Sequence, residues 1–290
     1  MKRILLAVIL IIMLLAGCDK PGTFTPSPVV ETPLAPTETT VPMALMVNGQ
    51  GITLAEFNAA LLRLKDAQES IGESSTDQEQ KERVLRNYTD ELLLAQAAAQ
   101  NGRVVDDAEL QTRLDKLAAD VGGEANLTAW QERNAYTPES FRESLRRAIL
   151  VTYQRDEIIN AVPLTAEHIR ARQILVQDED NAAYAYAQLQ GGADFETLAY
   201  QYDFQLGGDL GWFPRGMLTQ PNVEEAVFAL QPGAYTEVIK SNIGYHIVYV
   251  IEREMEHKLS IESRRMMQEK ALQAWLEAAR ASSSIEILVQ

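Results

Sequence analysis

With 290 residues, a net charge of −15 and one cysteine, this chain has no internal disulfide and no thiolate-rich metal site. No basic cluster follows Lys2 and Arg3, so the charge argues against nucleic acid as a partner, because phosphate binding needs a positive footprint. The three histidines show no ligand spacing, so no metal and no cofactor are expected, and the acidity itself serves solubility.

Lys2 and Arg3 precede an unbroken apolar run, Ile4 to Leu15, and then Ala16-Gly17-Cys18. A positive start, a short apolar stretch and small residues before a cut site make residues 1–17 read as a secretory leader. Twelve apolar residues make a helix of roughly 18 Å, too short for a bilayer core of about 30 Å. Leu15-Ala16-Gly17-Cys18 also resembles the bacterial lipobox, which implies acylation of Cys18 and a membrane anchor on the extracytoplasmic face. The same residues also fit an ordinary leader or uncleaved anchor that happens to contain a cysteine. Residues 18–42 read as a tether: 21–42 hold six of the eleven prolines and six threonines, too little apolar surface for a core.

Met43–Ile52 is strand-like, with a turn at Asn48-Gly49. Thr53 and Glu56 have capping-box spacing for a helix to about Glu69. A second helix is expected from Thr76 to Asn101, stopped by Gly102, and a third opens at Asp106 with Glu109 and ends at Gly122-Gly123. A short helical piece holds Trp130, and Thr137-Pro138 opens a helix to about Ala161. The pattern then changes. Arg170–Val176 reads as a strand, Asn181–Gln190 and the Asp194-capped stretch to Tyr202 as helices, and Gly207–Trp212 as a glycine-rich turn. Asn222 and Glu225 are spaced to cap Val223–Leu230, and Tyr235–Lys240 with Tyr245–Glu252 suggests a hairpin. A tail helix over about Glu256–Ala281 precedes an orphan strand, Ile285–Val289, which we pair with the other orphan, Met43–Val47. The expected fold is α+β. A helical module, residues 43–164, is completed by the C-terminal helix and strand, residues 255–290. Between them lies an inserted domain, residues 165–254, with one small sheet of mixed order and surrounding helices.

Four blocks in this inserted domain are Arg172–Val176, Gly207–Phe213, Glu225–Gly233 and Gly244–Ile247. In order and spacing they resemble the parvulin (rotamase) domain. Val47-Asn48-Gly49, Glu56-Phe57, Glu91–Gly102 and Tyr136–Leu150 are similar to the helical module of SurA- and PrsA-type foldases. The resemblance covers nearly all of residues 43–290. It implies a peptidyl-prolyl isomerase domain acting on unfolded or nascent exported polypeptides with X–Pro bonds. An X–Pro bond faces a barrier of about 20 kcal/mol, and lowering it needs no nucleophile, only a desolvated carbonyl and an apolar seat for the ring.

The family places two facing histidines, an acidic or thiol neighbour, and a Met/Phe pocket around that bond. By resemblance His246 is the second histidine, Gln173 stands where the first belongs, and Asp203 is the candidate acidic partner. Met217 or Leu218 takes the place of the pocket methionine, and Val223 that of the pocket phenylalanine. Glutamine keeps a donor and an acceptor but cannot titrate, and valine keeps the pocket apolar without an aromatic wall. The loop between Tyr202 and Gly207 is shorter than the family pattern. Weak isomerase activity is one reading, and peptide binding without turnover is the alternative. His168, in a capped first turn, and His257, near the start of the tail helix, are expected to be solvated. Trp212, Phe213, Phe228 and Leu230 are expected in the core, with Trp130 and Trp275 in the helical core.

Overall fold

The computed structural model describes residues 41–289. Cys18, the leader and nearly all of the tether lie outside the described residues. The described chain begins with a hairpin of β1 (Met43–Val47) and β2 (Gln50–Thr53). Its turn needs two left-handed residues, and Asn48 (φ 50) and Gly49 (φ 83) supply them. Five helices follow: α1 (Leu54–Ile71), α2 (Asp77–Gln100), α3 (Asp107–Asp120), α4 (Glu124–Arg133) and α5 (Pro138–Asn160).

The caps show where local signals hold. Thr76 and Glu79 close a reciprocal capping box, and Thr137 does the same with Ser140. Thr53 accepts from the Glu56 amide, but the Glu56 carboxylate turns to Arg147 instead of completing a box. Asp106 likewise caps the Glu109 amide while the Glu109 side chain pairs with Arg103.

The two ends of the folded chain meet as expected. Helix α9 (Ile261–Ala281) leads to β7 (Ile285–Ile287), which pairs antiparallel with β1, Leu45 opposite Ile287 and Val47 opposite Ile285. The resulting sheet has the order β2-β1-β7. Leu45, Val47 and Ile52 are fully buried against Phe57, Val84, Tyr88, Leu92 and Leu93, with Trp275, Ala279 and Ile285 packed on this cluster. Trp130 departs from expectation: it is 40% exposed and belongs to an aromatic trio with Tyr136 and Phe141, at centroid distances of 6.0 Å, instead of to the buried core.

The second sheet comprises β3 (Thr165–Val176), β4 (Asp209–Pro214), β5 (Ile239–Ser241) and β6 (Gly244–Lys258). Its order, β4-β3-β6-β5, is non-sequential, and every pairing is antiparallel. Helices α6 (Glu179–Gln190) and α7 (Phe195–Tyr202) cover one face, where Ile174, Val176 and Ile247 meet Ala182, Leu189, Phe195 and Leu198. Helix α8 (Pro221–Ala229) covers the other, where Ala171, Val248 and Val250 meet Phe213, Val223, Val227 and Phe228. The period-two alternation of β6 produces both faces from one strand.

Several boundaries differ from the sequence reading. β3 begins at Thr165 and β6 runs to Lys258, because the segments entering and leaving this domain pair with each other, Thr165 opposite Lys258. His168 and His257 therefore sit on strands. His168 is 3% exposed, and its ring lies 4.6 Å from that of His257, which stacks in turn on Trp212 at 4.8 Å. Trp212 is thus a partner of this stack, half-buried, while Phe213 and Phe228 are core. The tail helix starts at Ile261 behind the Ser260 cap. Most of Tyr235–Lys240 is not strand, because the Thr236 hydroxyl accepts the Val248 amide (3.0 Å) in place of a backbone carbonyl and breaks the ladder. Helix α8 has Gln220 as its uncapped start, with Pro221 at the first position. Asn222 instead donates to the Lys240 carbonyl (2.8 Å).

Candidate active site

On β6, Tyr245 and Ile247 face α6 and α7, so His246 must face α8 together with Val248 and Val250. The ladder sets Gln173 of β3 opposite Val248 and Leu175 opposite His246, so Gln173 and His246 are diagonal neighbours on one face. Their side chains meet: Gln173 Oε1 lies 3.2 Å from His246 Nδ1. The other ring nitrogen, Nε2, lies 2.8 Å from Ser241 Oγ at the end of β5.

His246 is 3% exposed, and burial lowers its pKa from the ordinary 6.5, so the imidazole is neutral at pH 7. A neutral ring has one N–H. The Gln173 oxygen can only accept, so the proton sits on Nδ1 and the bare Nε2 accepts from the Ser241 hydroxyl. Ser241 Oγ in turn accepts the Ile243 amide at 3.1 Å, which fixes the hydroxyl from the other side. The ring is held in one tautomer and one orientation without a charged partner.

The glycine turn braces Gln173 from behind. The Gln173 amide donates to the Gly208 carbonyl at 2.8 Å. Gly208 has φ +66, and a Cβ there would stand 1.8 Å from the Gln173 carbonyl oxygen, so no side chain fits. Asp203 caps α7 and accepts the amides of Gln205, Leu206 and Gly208 at 3.1–3.2 Å. Those amides, Leu206 first, hold its carboxyl below the usual range. Asp203 therefore stays ionised and shapes the turn on which Gln173 rests; its hydrogen bonds go to these amides and not to His246.

Met217 and Leu218 are half-buried on the α8 face, packed against the cluster of Phe213, Val223 and Phe228. Val223 is 2% exposed and lies within this cluster, so it shapes the apolar surface from beneath. The loop carrying Met217 and Leu218 is fixed by Glu224, which accepts the Gly216 amide at 2.7 Å and the Leu218 amide at 3.0 Å. Among the described residues no group of three or more His, Cys, Asp or Glu could hold a metal ion. The arrangement offers a neutral, oriented imidazole beside an amide and an apolar surface, suited to acting on an uncharged amide bond.

The rotamase family, described as the PPIC-type PPIASE domain, matches residues 169–252, and the SurA-like N-terminal domain matches residues 1–155. A foldase protein PrsA from Caldanaerobacter subterraneus subsp. tengcongensis is 31% identical over 230 residues, covering 70% of this chain and 71% of the relative. The chain belongs to the PrsA foldase family. A chaperone SurA from Bordetella parapertussis is 36% identical over 139 residues, 42% of this chain and 26% of that protein. A crystal structure of peptidylprolyl isomerase (PrsA) from Bacillus cereus, 24% identical, covers 80% of this chain and 84% of that one with a TM-score of 0.45.

This foldase thus brings five of the six residues its sequence offered for the isomerase site onto one face: Gln173, His246, Met217, Leu218 and Val223. Asp203 stands apart on the turn. Sequence reasoning missed Ser241 and Glu224. The signal for Ser241 was a hydroxyl just before the tight Ser241–Gly244 connection, whose strands bring positions 241 and 246 together. Glu224 could have been found as a carboxylate in the first turn of a helix lacking a side-chain cap.

Proposed function

We propose that this foldase isomerises X–Pro bonds in unfolded exported polypeptides at the His246–Gln173 site, slowly. The observation that carries this reading is the hydrogen bond between Gln173 and His246 on the face that also holds Met217, Leu218 and Val223. The prolyl ring would rest on Met217 and Leu218 above Val223, out of water. His246 and Gln173 would accompany the rotating amide with neutral hydrogen bonds. Since the step makes and breaks no covalent bond, the site works by binding the twisted imide better than the planar one. Gln173 lacks the second imidazole of the family pattern, which is why turnover is slow.

In the same reading, residues 43–164 and 255–290 form a chaperone module that receives the client, and 165–254 form the isomerase domain. Cys18 carries the lipid that holds the protein on the extracytoplasmic face of the membrane. Among the described residues no helix is long and apolar enough to cross a membrane. A second reading, peptide binding without turnover, is favoured by the burial of Val223, which leaves less open apolar wall for a proline ring.

A protease-coupled isomerisation assay with several residues before proline separates the two. Catalysis above background that is lost in His246→Ala supports the first reading. Peptide binding with no rate enhancement supports the second.

A further inference from the structure

Met217 and Leu218 ride on the loop between β4 and α8, and that loop is held from two sides. Its own domain supplies Glu224, which takes the Gly216 and Leu218 amides, and Glu167, which pairs with Arg215 at 3.3 Å. The other hold comes from outside the domain. Lys270, midway along α9, donates from its ammonium to the Gly216 carbonyl. Gly216 has φ +89, and a Cβ there would stand 3.1 Å from Lys270 Nζ, so glycine serves both the turn and the close approach.

Helix α9 belongs mechanically to the helical module. Arg280 near its end makes a two-pronged contact with Asp90 of α2, both bonds 2.7 Å, and Trp275 and Ala279 pack on the buried core. Closer to Lys270, Gln268 donates to the Ile159 carbonyl of α5 at 3.0 Å. A cavity of about 450 Å³, lined by Ile158, Val162, Arg215, Met267 and Lys270, opens beside the contact. The loop and α9 meet there through the Lys270–Gly216 hydrogen bond.

We propose that Lys270 is a positioning residue, through which the helical module sets where Met217 and Leu218 sit and hence how tightly the isomerase site holds a proline-containing chain. The inference rests on the proposed function of that site. The effect falls on binding, because the apolar seat contacts the ring in ground and transition states alike, while His246 and Gln173 address the rotating amide. One solvent-exposed charged hydrogen bond to a carbonyl supports an effect of roughly two- to fivefold.

The test uses the full chain with a Leu–Pro tetrapeptide anilide as probe. Its readouts are KM, kcat, and the Met217 methyl resonance with and without peptide. Lys270→Met is expected to raise KM roughly two- to fivefold, leave kcat within twofold, and shift the Met217 resonance in the free protein. Lys270→Arg, which keeps the donor, should restore all three. A peptide-responsive Met217 that ignores Lys270→Met, with KM unchanged, would overturn this inference and leave the site reading intact. A Met217 resonance blind to the peptide in the wild-type protein would overturn the site reading and this inference together. A Lys270→Met protein that loses cooperative unfolding would assign Lys270 a role in folding, and would overturn the inference as well.

Discussion

Each half of this foldase holds a largely buried polar cluster, and the two are built on opposite principles. In the helical module Arg147 lies between Glu56 and Glu91 beneath Tyr88, its side chain 13% exposed. Burial works against its charge, yet Glu56 and then Glu91 hold the guanidinium above its ordinary pKa. Burial likewise raises the Glu91 carboxyl. In the isomerase domain, buried His246 meets half-buried Gln173 and Ser241 without any formal charge at neutral pH. The ionic cluster ties α1, α2 and α5 together, with Arg147 and Glu56 largely buried and the Glu91 side chain 44% exposed. The neutral one lies on the sheet face that also carries half-buried Met217 and Leu218.

The largest effect should come from breaking the ionic cluster. Arg147→Ala leaves the largely buried Glu56 and the half-exposed Glu91 without their partner and is expected to cost about 3 kcal/mol, read as a lower urea midpoint. Acid should restore part of the loss. With its pKa raised in the folded state, Glu91 binds a proton more readily folded than unfolded, so stability returns as pH falls through that raised value. A variant equally unstable at all pH values would remove Glu91 from the explanation.

Deleting residues 285–290 is the next largest. It strips β1 of its partner and removes Ile285 from the core, an expected loss of about 2 kcal/mol confined to the helical module. Hydrogen exchange should quicken at Leu45–Val47 and stay unchanged at Ile247. Equal protection at Leu45–Val47 before and after the deletion would show that β7 adds nothing there.

On the neutral side, Gln173→His should raise kcat/KM several-fold while leaving peptide affinity nearly unchanged. Val223→Phe, in a position 2% exposed, should cost about 1–3 kcal/mol by overpacking. The double variant should nevertheless be faster than Gln173→His alone, since the two positions share one surface and couple. A double variant that folds, binds and is no faster than wild type would locate the slowness in the short turn at Asp203–Gly207.

The smallest effect belongs to Ser241→Ala, which removes the hydroxyl held by His246 Nε2. A loss of about 1 kcal/mol, roughly fivefold in kcat/KM, is expected, together with an altered acid limb of the pH profile. In the wild-type protein that limb lies below 6.5, since burial lowers the His246 pKa. The folded state then binds fewer protons than the unfolded one. The stability contribution of His246 is therefore full above 6.5 and lost as pH falls toward its lowered value. An acid limb unchanged by Ser241→Ala would exclude the His246–Ser241 hydrogen bond from the rate.

Much of this was legible in the residues alone. Helix existence followed from caps and glycine stops, because a cap is a contact over three residues and needs no tertiary partner. Pairing the orphan strands Met43–Val47 and Ile285–Val289 followed from the backbone's need for hydrogen bonds. His246, Gln173, Met217, Leu218 and Val223 came from spacing and resemblance. What failed was of another kind: Thr165–His168 and Glu256–Lys258 look like helix starts and are strands, and Asn222 looks like a cap and is a bridge to Lys240.

The sequence by itself determined the order of elements and the α+β class, since both follow from caps, glycine stops and apolar spacing among neighbours a few residues apart, while resemblance supplied His246, Gln173, Met217, Leu218 and Val223 as candidates. Only the tertiary structure decided that the two crossings between the modules pair into one ladder, that Ser241 fixes the His246 tautomer, that Asp203 serves a turn and that Lys270 reaches Gly216. The reason is physical. These contacts join groups whose partners are set by strand register and helix packing across the fold, and no local pattern of caps, glycines or apolar spacing encodes which distant atom will complete a given hydrogen bond.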